Sequence, residues 1–149
     1  MLKKTAILGI AALLALPLMA NAGDTILKRP IKEALMQPTA KQKLGSDIKY
    51  YFADEKHPKV AKDFGEYETN KKTNAFGKND AAVCNWVFLS AMLQLQEKAH
   101  DLGADGVINI RSNFKNQEFA SQTEFKCGVG FLMAGVALKG DFVKFADKK

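Results

Sequence analysis

Metal-ligating and thiol side chains are scarce in this sequence. Its 149 residues include only two cysteines, Cys84 and Cys127, and two histidines. A structural zinc site needs about four such ligands, and a redox-active dithiol usually has the C-x-x-C spacing. Neither pattern is present, which argues against a zinc-ribbon protein and against a thiol oxidoreductase.

A nucleotide-binding loop is also missing. The P-loop that cradles phosphate groups has the pattern GxxxxGK followed by Ser or Thr. The nearest approaches are Gly130 to Gly135 followed by Val136, and the tripeptide Gly77-Lys78-Asn79; they lack either the lysine or the partner glycine. The sequence therefore excludes this class of ATPase site.

Long apolar runs are absent except near the N-terminus. Ile7 to Leu18 is apolar, but its dozen or so residues fall short of the ~20 that cross a bilayer. The run follows Lys3-Lys4 and precedes Ala20-Asn21-Ala22, an order typical of a Sec export signal. We predict that residues 1–22 are a signal peptide cleaved after Ala22. No cysteine follows the run, so we expect a soluble periplasmic protein that begins at Gly23 and has no membrane span.

Excess charge of either sign is small. Removal of the two lysines of the signal peptide lowers the formal net charge from +6 to +4. The remaining basic residues are scattered and often stand beside Asp or Glu, whereas a nucleic-acid-binding face clusters Lys and Arg with aromatic residues. We therefore expect no nucleic-acid partner.

The segment after the signal peptide has the length of one domain, which is roughly 100 to 150 residues. Residues 23–45 have no regular pattern apart from a short helical stretch between Pro30 and Pro38, and we interpret them as an N-terminal arm. Residues 46–149 are predicted to form a single α+β domain.

One long helix is predicted from about Asp80 to Leu102. Asn79 or Asp80 suits its N-cap, and Gly103 is a typical stop. Apolar residues recur at three- and four-residue spacing along one stripe of this helix, which indicates a face packed on a core. The stripe comprises Cys84, Phe88, Met92, Leu95, Ala99 and Leu102.

The remaining pattern predicts an antiparallel sheet with the helix packed across it. The predicted strands are Asp47–Phe52, Val60–Thr69, Val107–Phe114, Phe119–Cys127, Val129–Leu138 and a short Val143–Phe145. Consecutive strands from Val107 to Leu138 favour a β-meander. The small residues of Val129–Leu138 would let another backbone or subunit approach closely, so a homo-oligomer is an open option.

Both cysteines are predicted to face the core. Cys84 lies on the helix stripe, and Cys127 alternates with Phe125 on one strand face, opposite Glu124 and Lys126. An even number of cysteines in an oxidising compartment usually pairs, so we predict a Cys84–Cys127 disulfide. Closing a loop of about 44 residues would contribute roughly 4 kcal/mol in the loop-entropy model. A redox-sensing pair is the alternative.

Two segments resemble a known family. Ala99 to Arg111, AHDLGADGVINIR, is similar to the signature of the YbjQ-like family, described as heavy-metal-binding domains, and Gly135 to Val143 is similar to its closing strands. The resemblance implies an α+β fold that tends to form oligomers. The architecture also resembles the exported, disulfide-containing RcsF-like domain, although the anchor cysteine of that lipoprotein is missing.

Over its full length the chain resembles small exported bacterial proteins that are often labelled as an excinuclease ATPase subunit. The resemblance rests on NKKTNAF at Asn70 to Phe76, CNW at Cys84 to Trp86 and MAGVALKG at Met133 to Gly140. The missing P-loop contradicts the activity that this label implies.

Candidate metal ligands are isolated. His57 follows Asp54 and Glu55, whose oxygens could help to hold a divalent ion, but Lys56 and Lys59 in the same loop would repel a cation. His100 stands at the end of the long helix, where an imidazole usually complements the helix dipole. We regard both as weak metal candidates.

No catalytic constellation is evident, so we predict no enzyme and no cofactor. Ser90, Ser112 and Ser121 have no motif around them. The carboxylates of Glu66 and Glu68 share one face of a predicted strand but have lysines nearby, which favours a solvated surface.

A polar ribbon is the best candidate for a partner surface. Asn109, Arg111 and Asn113 alternate on one face of their strand, opposite Ile108 and Ile110. We predict a periplasmic, non-enzymatic binding or envelope-sensing module whose partner is an envelope protein or a small ligand. The alternative is a periplasmic metal-binding protein.

Overall fold

The computed structural model describes residues 24–147. The predicted signal peptide, 1–22, and the predicted mature N-terminus at Gly23 lie outside the described residues. In chain order the elements are β1 (Thr25–Pro30), α1 (Ile31–Met36), α2 (Pro38–Leu44), β2 (Lys49–Phe52), β3 (Val60–Asn74), α3 (Asp80–Leu102), β4 (Gly106–Ser112), β5 (Glu124–Val129) and β6 (Met133–Phe145). They form one α+β domain with a curled, mostly antiparallel sheet and one long helix, so the predicted fold class is confirmed at this level.

The long helix α3 has the predicted bounds because both of its ends carry the expected caps. The Asn79 side chain accepts a hydrogen bond from the Ala82 amide at 3.1 Å, and Gly103 adopts a left-handed conformation with φ of 72°. Buried residues on one side of α3 pack on the sheet. Within residues 24–147, no helix combines the length and apolar character needed to cross a membrane.

Strand β6 is the centre of the sheet because it pairs along both of its edges. On one edge β3 follows it from Val60, opposite Phe145, to Asn74, opposite Met133. On the other edge β5 pairs with the beginning of β6 and β4 pairs with the rest. β1 adds to β5 in antiparallel orientation, whereas β2 adds to β4 in parallel orientation. β3 is therefore a long outer strand.

The predicted β-meander is wrong. β4 pairs with β6 rather than β5, and the predicted strand Val129–Leu138 contains the turn between β5 and β6. β6 then continues through Gly140 to Phe145. The chain does not turn at Gly140, because this glycine lets β6 pack closely on β4. A Cβ atom at Gly140 would come within 2.8 Å of a methyl carbon of Val107, so the close approach of the two strands requires glycine.

Several strand boundaries also differ from their predictions; β4, for example, ends at Ser112 and not at Phe114. β5 begins at Glu124 and not at Phe119, because the Ser121 hydroxyl accepts hydrogen bonds from the amides of Thr123 and Glu124 at 3.2 and 3.1 Å and forms a local turn. β3 extends to Asn74, five residues beyond its predicted end at Thr69, because its backbone pairs with β6 over this length.

The segment expected to form an N-terminal arm takes part in the sheet and the core. β1 pairs with β5, and the helices α1 and α2 follow it directly. Ile31, Ala34, Ala40 and Leu44 of these helices are buried and belong to the same hydrophobic core as α3.

The predicted disulfide between Cys84 and Cys127 is present and joins α3 to β5, with its two Cα atoms 5.9 Å apart. Both residues are completely buried. Next to the bridge, the ring of Phe88 stacks on Phe125 with centroids 4.2 Å apart and on Phe52 at 6.3 Å. The disulfide and this aromatic stack together connect the helix to the sheet.

Candidate functional site

The polar ribbon lies among carboxylates of neighbouring strands. A bulge interrupts the pairing of β4 between Ile108 and Arg111, with Asn109 at φ of 52°. Arg111 forms an ion pair with Glu66 and another with Glu118 at 3.2 Å. The Asn113 amide donates to Glu68, also at 3.2 Å, and Asn109 reaches Asp141 at 3.4 Å.

Lys139 of β6 completes a charge network with Arg111, Glu66, Glu68 and Glu118. Its ammonium lies 2.7 Å from Glu118, 3.2 Å from Glu66 and 3.8 Å from Glu68. The two cationic side chains are 9% and 17% exposed, whereas the three carboxylates are 42% to 55% exposed. The outer face of the sheet therefore presents carboxylates to solvent, with the cations beneath them.

The network lowers the pKa of Glu118 and of Glu66. Hydrogen bonds from Lys139 and then Arg111 lower the pKa of Glu118 from 4.5 to about 2. Arg111 lowers the pKa of Glu66 in the same way, and the pKa of Lys139 is raised, chiefly by Glu118. The charged state of all these groups is favoured in the folded protein.

We expect Glu118 to contribute to stability in a pH-dependent way. Its folded pKa of about 2 lies below its unfolded value near 4.5, so the contribution is complete above pH 4.5 and disappears as the pH falls toward 2. Urea unfolding of the wild type and of Glu118→Gln should give a stability difference that is constant at neutral pH and shrinks across this window. Glu97→Gln, on α3 outside the network, is the control. A difference that does not change with pH would contradict this role.

A cleft of about 340 Å³ opens between α3 and the outer strand β3. Tyr67 packs edge-on against Phe142 of β6 with centroids 5.4 Å apart. The lining residues are Tyr67, Glu68 and Thr69 of β3, Gln94, Glu97, Lys98 and Asp101 of α3, and Phe142.

Two polar atoms of this cleft have no hydrogen-bond partner in the described part of the chain. They are the hydroxyl oxygen of Thr69 and the amide oxygen of Gln94, and both atoms are buried. Thr69 is only 4% exposed. A buried polar atom without a partner costs about 1–3 kcal/mol, and native proteins usually satisfy such atoms. Thr69 and Gln94 therefore keep hydrogen-bonding capacity beside the cleft that the described part of the protein does not use.

The charge of the cleft favours a cation. Glu97 and Asp101 of α3 bring two carboxylates to the cleft, and Lys98 is the single basic lining residue. The Glu68 carboxylate belongs to the charge network on the opposite face of β3. The Lys98 ammonium lies 4.4 Å from the centroid of the Tyr67 ring, a cation–π contact. The site therefore already holds one ammonium group against an aromatic face.

The sequence contained only a partial signal for this site. Thr69 lies within a predicted strand, on the face shared with Tyr67, but a threonine at such a position is common in strands. Gln94 and Lys98 are on the predicted helix. The sequence does not show that the helix lies beside the strand, so the residues of the cleft could not be grouped in advance.

The two histidines lie in different surroundings. The Nδ1 atom of His57 is 2.8 Å from the Pro58 carbonyl oxygen, and its ring contacts Tyr51. His100 forms a 2.6 Å hydrogen bond with Asp47, which lowers the pKa of that carboxyl. Within residues 24–147, no three His, Cys, Asp or Glu side chains are grouped so that they could hold a metal ion.

Candidate partners of His57 in a metal site are engaged elsewhere. Asp54 accepts a hydrogen bond from Gln122 at 2.8 Å, and Glu55 accepts one from the Phe52 amide at 2.7 Å. These contacts hold the loop after β2 against neighbouring backbone and side chains.

Comparisons with known proteins gave no relative: no family model, curated protein or solved structure matches the chain. The functional interpretation therefore depends on the geometry of the cleft and of the surfaces around it.

Proposed function

We propose that the protein is a periplasmic, non-enzymatic binding module with a YbjQ-like or RcsF-like fold, and that its ligand is a small organic amine held in the cleft between α3 and β3. The observation that carries the proposal is the buried, unpartnered hydroxyl of Thr69 beside a cleft that the acidic residues Glu97 and Asp101 line. Export is supported by the signal-like N-terminal pattern and by the buried disulfide, a bond that persists in oxidising compartments.

The chemistry of the lining favours an amine over other small molecules. The Gln94 amide oxygen only accepts hydrogen bonds, so its ligand must donate one. An ammonium group donates three hydrogen bonds and is attracted by Glu97 and Asp101. The volume of about 340 Å³ is at the lower end of the range for small-molecule sites, which fits a diamine or an amino sugar.

Calorimetric titration with cadaverine, spermidine and glucosamine tests the proposal, with 1,5-pentanediol as a neutral probe of similar length. We expect at least one amine to bind and the diol not to bind. Thr69→Val removes the hydroxyl but keeps the shape, and should weaken amine binding about tenfold. Thr73→Val, on the same strand outside the cleft, is the matched control.

The same variant separates a binding role from a structural one. Because Thr69→Val removes a buried hydroxyl that has no partner, the ligand-free protein should be equally or more stable, by up to about 1 kcal/mol. No amine binding, or equal affinity of Thr69→Val and wild type, would refute the proposal. Uptake of zinc, copper or nickel in equilibrium dialysis without amine binding would favour the metal-binding alternative.

A further inference from the structure

One end of the domain carries exposed apolar side chains on protruding segments. Phe131 and Leu132 occupy the turn between β5 and β6, Met133 begins β6, and Phe76 lies in the loop between β3 and α3. Their exposed fractions are 79%, 59%, 47% and 58%, respectively. We call these four residues the apolar tip.

The apolar tip is a defined structure and not a set of isolated side chains. The Phe76 and Phe131 rings meet edge to face with centroids 5.3 Å apart. The Ala75 amide donates to the Leu132 carbonyl at 2.8 Å, which holds the loop against the turn. Contiguous exposed apolar patches on a protein usually mark an interaction site.

Trp86 extends the apolar surface along α3. It is 54% exposed and shares an apolar depression with Lys78, Asn79, Ala82 and Val83, at the helix end next to the Phe76 loop. Tryptophan is typical of the membrane–water interface, because its ring is apolar and its N–H needs a polar partner.

Basic residues surround the apolar tip. Lys72 lies opposite Gly135 in the β3–β6 pairing, next to Lys71, and Lys78 follows Phe76 closely. Lys115 is ion-paired with Asp24 at 3.4 Å. The four lysines outnumber the two carboxylates at this end, Asp24 and Asp80, so the surroundings of the tip are positive.

The described chain begins at this same end. Thr25 pairs with Val129, the last residue before the turn, and Asp24 lies beside Gly130. The apolar run Ile7 to Leu18 is therefore connected to the domain through the end that bears the tip. In the exported precursor, a membrane-inserted run would bring the tip close to the bilayer.

From these observations we infer that the apolar tip docks onto the surface of an anionic phospholipid bilayer. Phe131, Leu132 and Phe76 would enter the interface, and Lys72 and Lys78 would contact the phosphate groups. Exposed side chains at a tip can enter the soft, flat surface of a bilayer, whereas a groove could not. The inference is independent of amine binding, since none of these residues lines the cleft.

Vesicle binding tests the inference. The full chain is expressed in a host that can export it, and the form of the protein that accumulates is purified. Vesicles contain phosphatidylcholine alone or with an equal part of phosphatidylglycerol. Trp86 is the only tryptophan and serves as the reporter. With the anionic vesicles, we expect the Trp86 emission to shift to shorter wavelength and to be quenched by brominated lipid. We also expect this binding to weaken at high salt.

Variants in the same N-terminal state assign the effect to the tip. Phe131→Ser with Leu132→Ser should lower the partition coefficient at least about tenfold, whereas Met36→Ser, an exposed apolar residue outside the tip, should change it less than about twofold. Lys72→Glu with Lys78→Glu should remove the preference for phosphatidylglycerol, and provides a second test if the first variant fails to fold. The inference would be overturned if the wild type did not bind vesicles, or if the tip variants bound them as well as the wild type. It would also be overturned if the tip variants lost a dimer of the wild type without losing lipid binding.

Discussion

Replacement of both cysteines, Cys84→Ala with Cys127→Ala, should lower the free energy of unfolding by about 4 kcal/mol and the melting temperature by roughly 15 °C. The bridge closes a loop with a sequence separation of 43 residues, so the unfolded chain gains considerable freedom when the bond is absent. Because small domains are stable by only about 5–15 kcal/mol, the loss is a large share of the total.

Urea unfolding monitored by far-UV circular dichroism measures this effect. Addition of a reductant to the wild type in urea should bring its midpoint to that of the double variant, because both chains then lack the same constraint. The single variant Cys84→Ala also lacks the cross-link and leaves one buried thiol. Its unfolding midpoint should be close to that of the double variant. Equal stability of the oxidised and reduced proteins would contradict the structural role of the bridge.

Phe88→Ala should destabilise the protein by about 3–5 kcal/mol, which is comparable to the loss of the disulfide. The Phe88 ring is completely buried between Phe125 of β5 and Phe52 of β2. Its removal would leave a cavity beside the bridge, in a core whose other members are fixed by the helix, the sheet and the disulfide. The surroundings therefore have little freedom to collapse into the space.

Two control variants test whether the loss of stability comes from the cavity in the core. Phe88→Leu retains most of the apolar volume and should cost no more than about 1.5 kcal/mol. Phe76→Ala removes the same ring from a position that is 58% exposed and should change the stability by less than about 0.5 kcal/mol. Similar losses for Phe88→Ala and Phe76→Ala in urea unfolding would refute the assignment of Phe88 to the centre of the core.

The long helix and the disulfide could be predicted because their signals are local. Asn79 and Gly103 mark the ends of α3 by their own conformations, independently of the rest of the fold. The spacing of apolar residues on α3 and the alternation of Phe125 with Cys127 place both sulfur atoms in the core. In the folded protein their Cα atoms are 5.9 Å apart, within the range that a disulfide requires.

The order of the strands could not be predicted from local pattern. Gly140 falls between two predicted strands in the sequence. In the structure it lies inside β6, where the close approach of Val107, 33 positions away, requires a glycine. Phe119 alternates with Phe125, yet the turn at Ser121 breaks the register, and the Phe119 ring lies beneath the ammonium groups of Lys28 and Lys126 at 4.9 and 5.0 Å. Only tertiary contacts reveal either difference.

Site prediction was limited for the same reason. The polar ribbon was recognised by its alternation, but its partners Glu66 and Glu68 come from β3 and Lys139 from β6. The Phe114 ring lies against the small residues of the β5–β6 hairpin: a Cβ atom would overlap it at Gly128 and come within 3.3 Å of it at Gly135. The cleft with Thr69 depends on the position of α3 beside β3, which no local pattern encodes.

We propose that the chain is exported, folds around an oxidised Cys84–Cys127 bridge and acts outside the cytoplasm. Intact-mass measurement of the protein recovered from the periplasmic fraction, without reductant and with thiol alkylation, tests export, cleavage and pairing together. We expect the mass of a chain that begins at Gly23, is two hydrogens lighter than its dithiol form and carries no alkylated cysteine. A full-length chain in the cytoplasm with both cysteines alkylated would contradict this proposal.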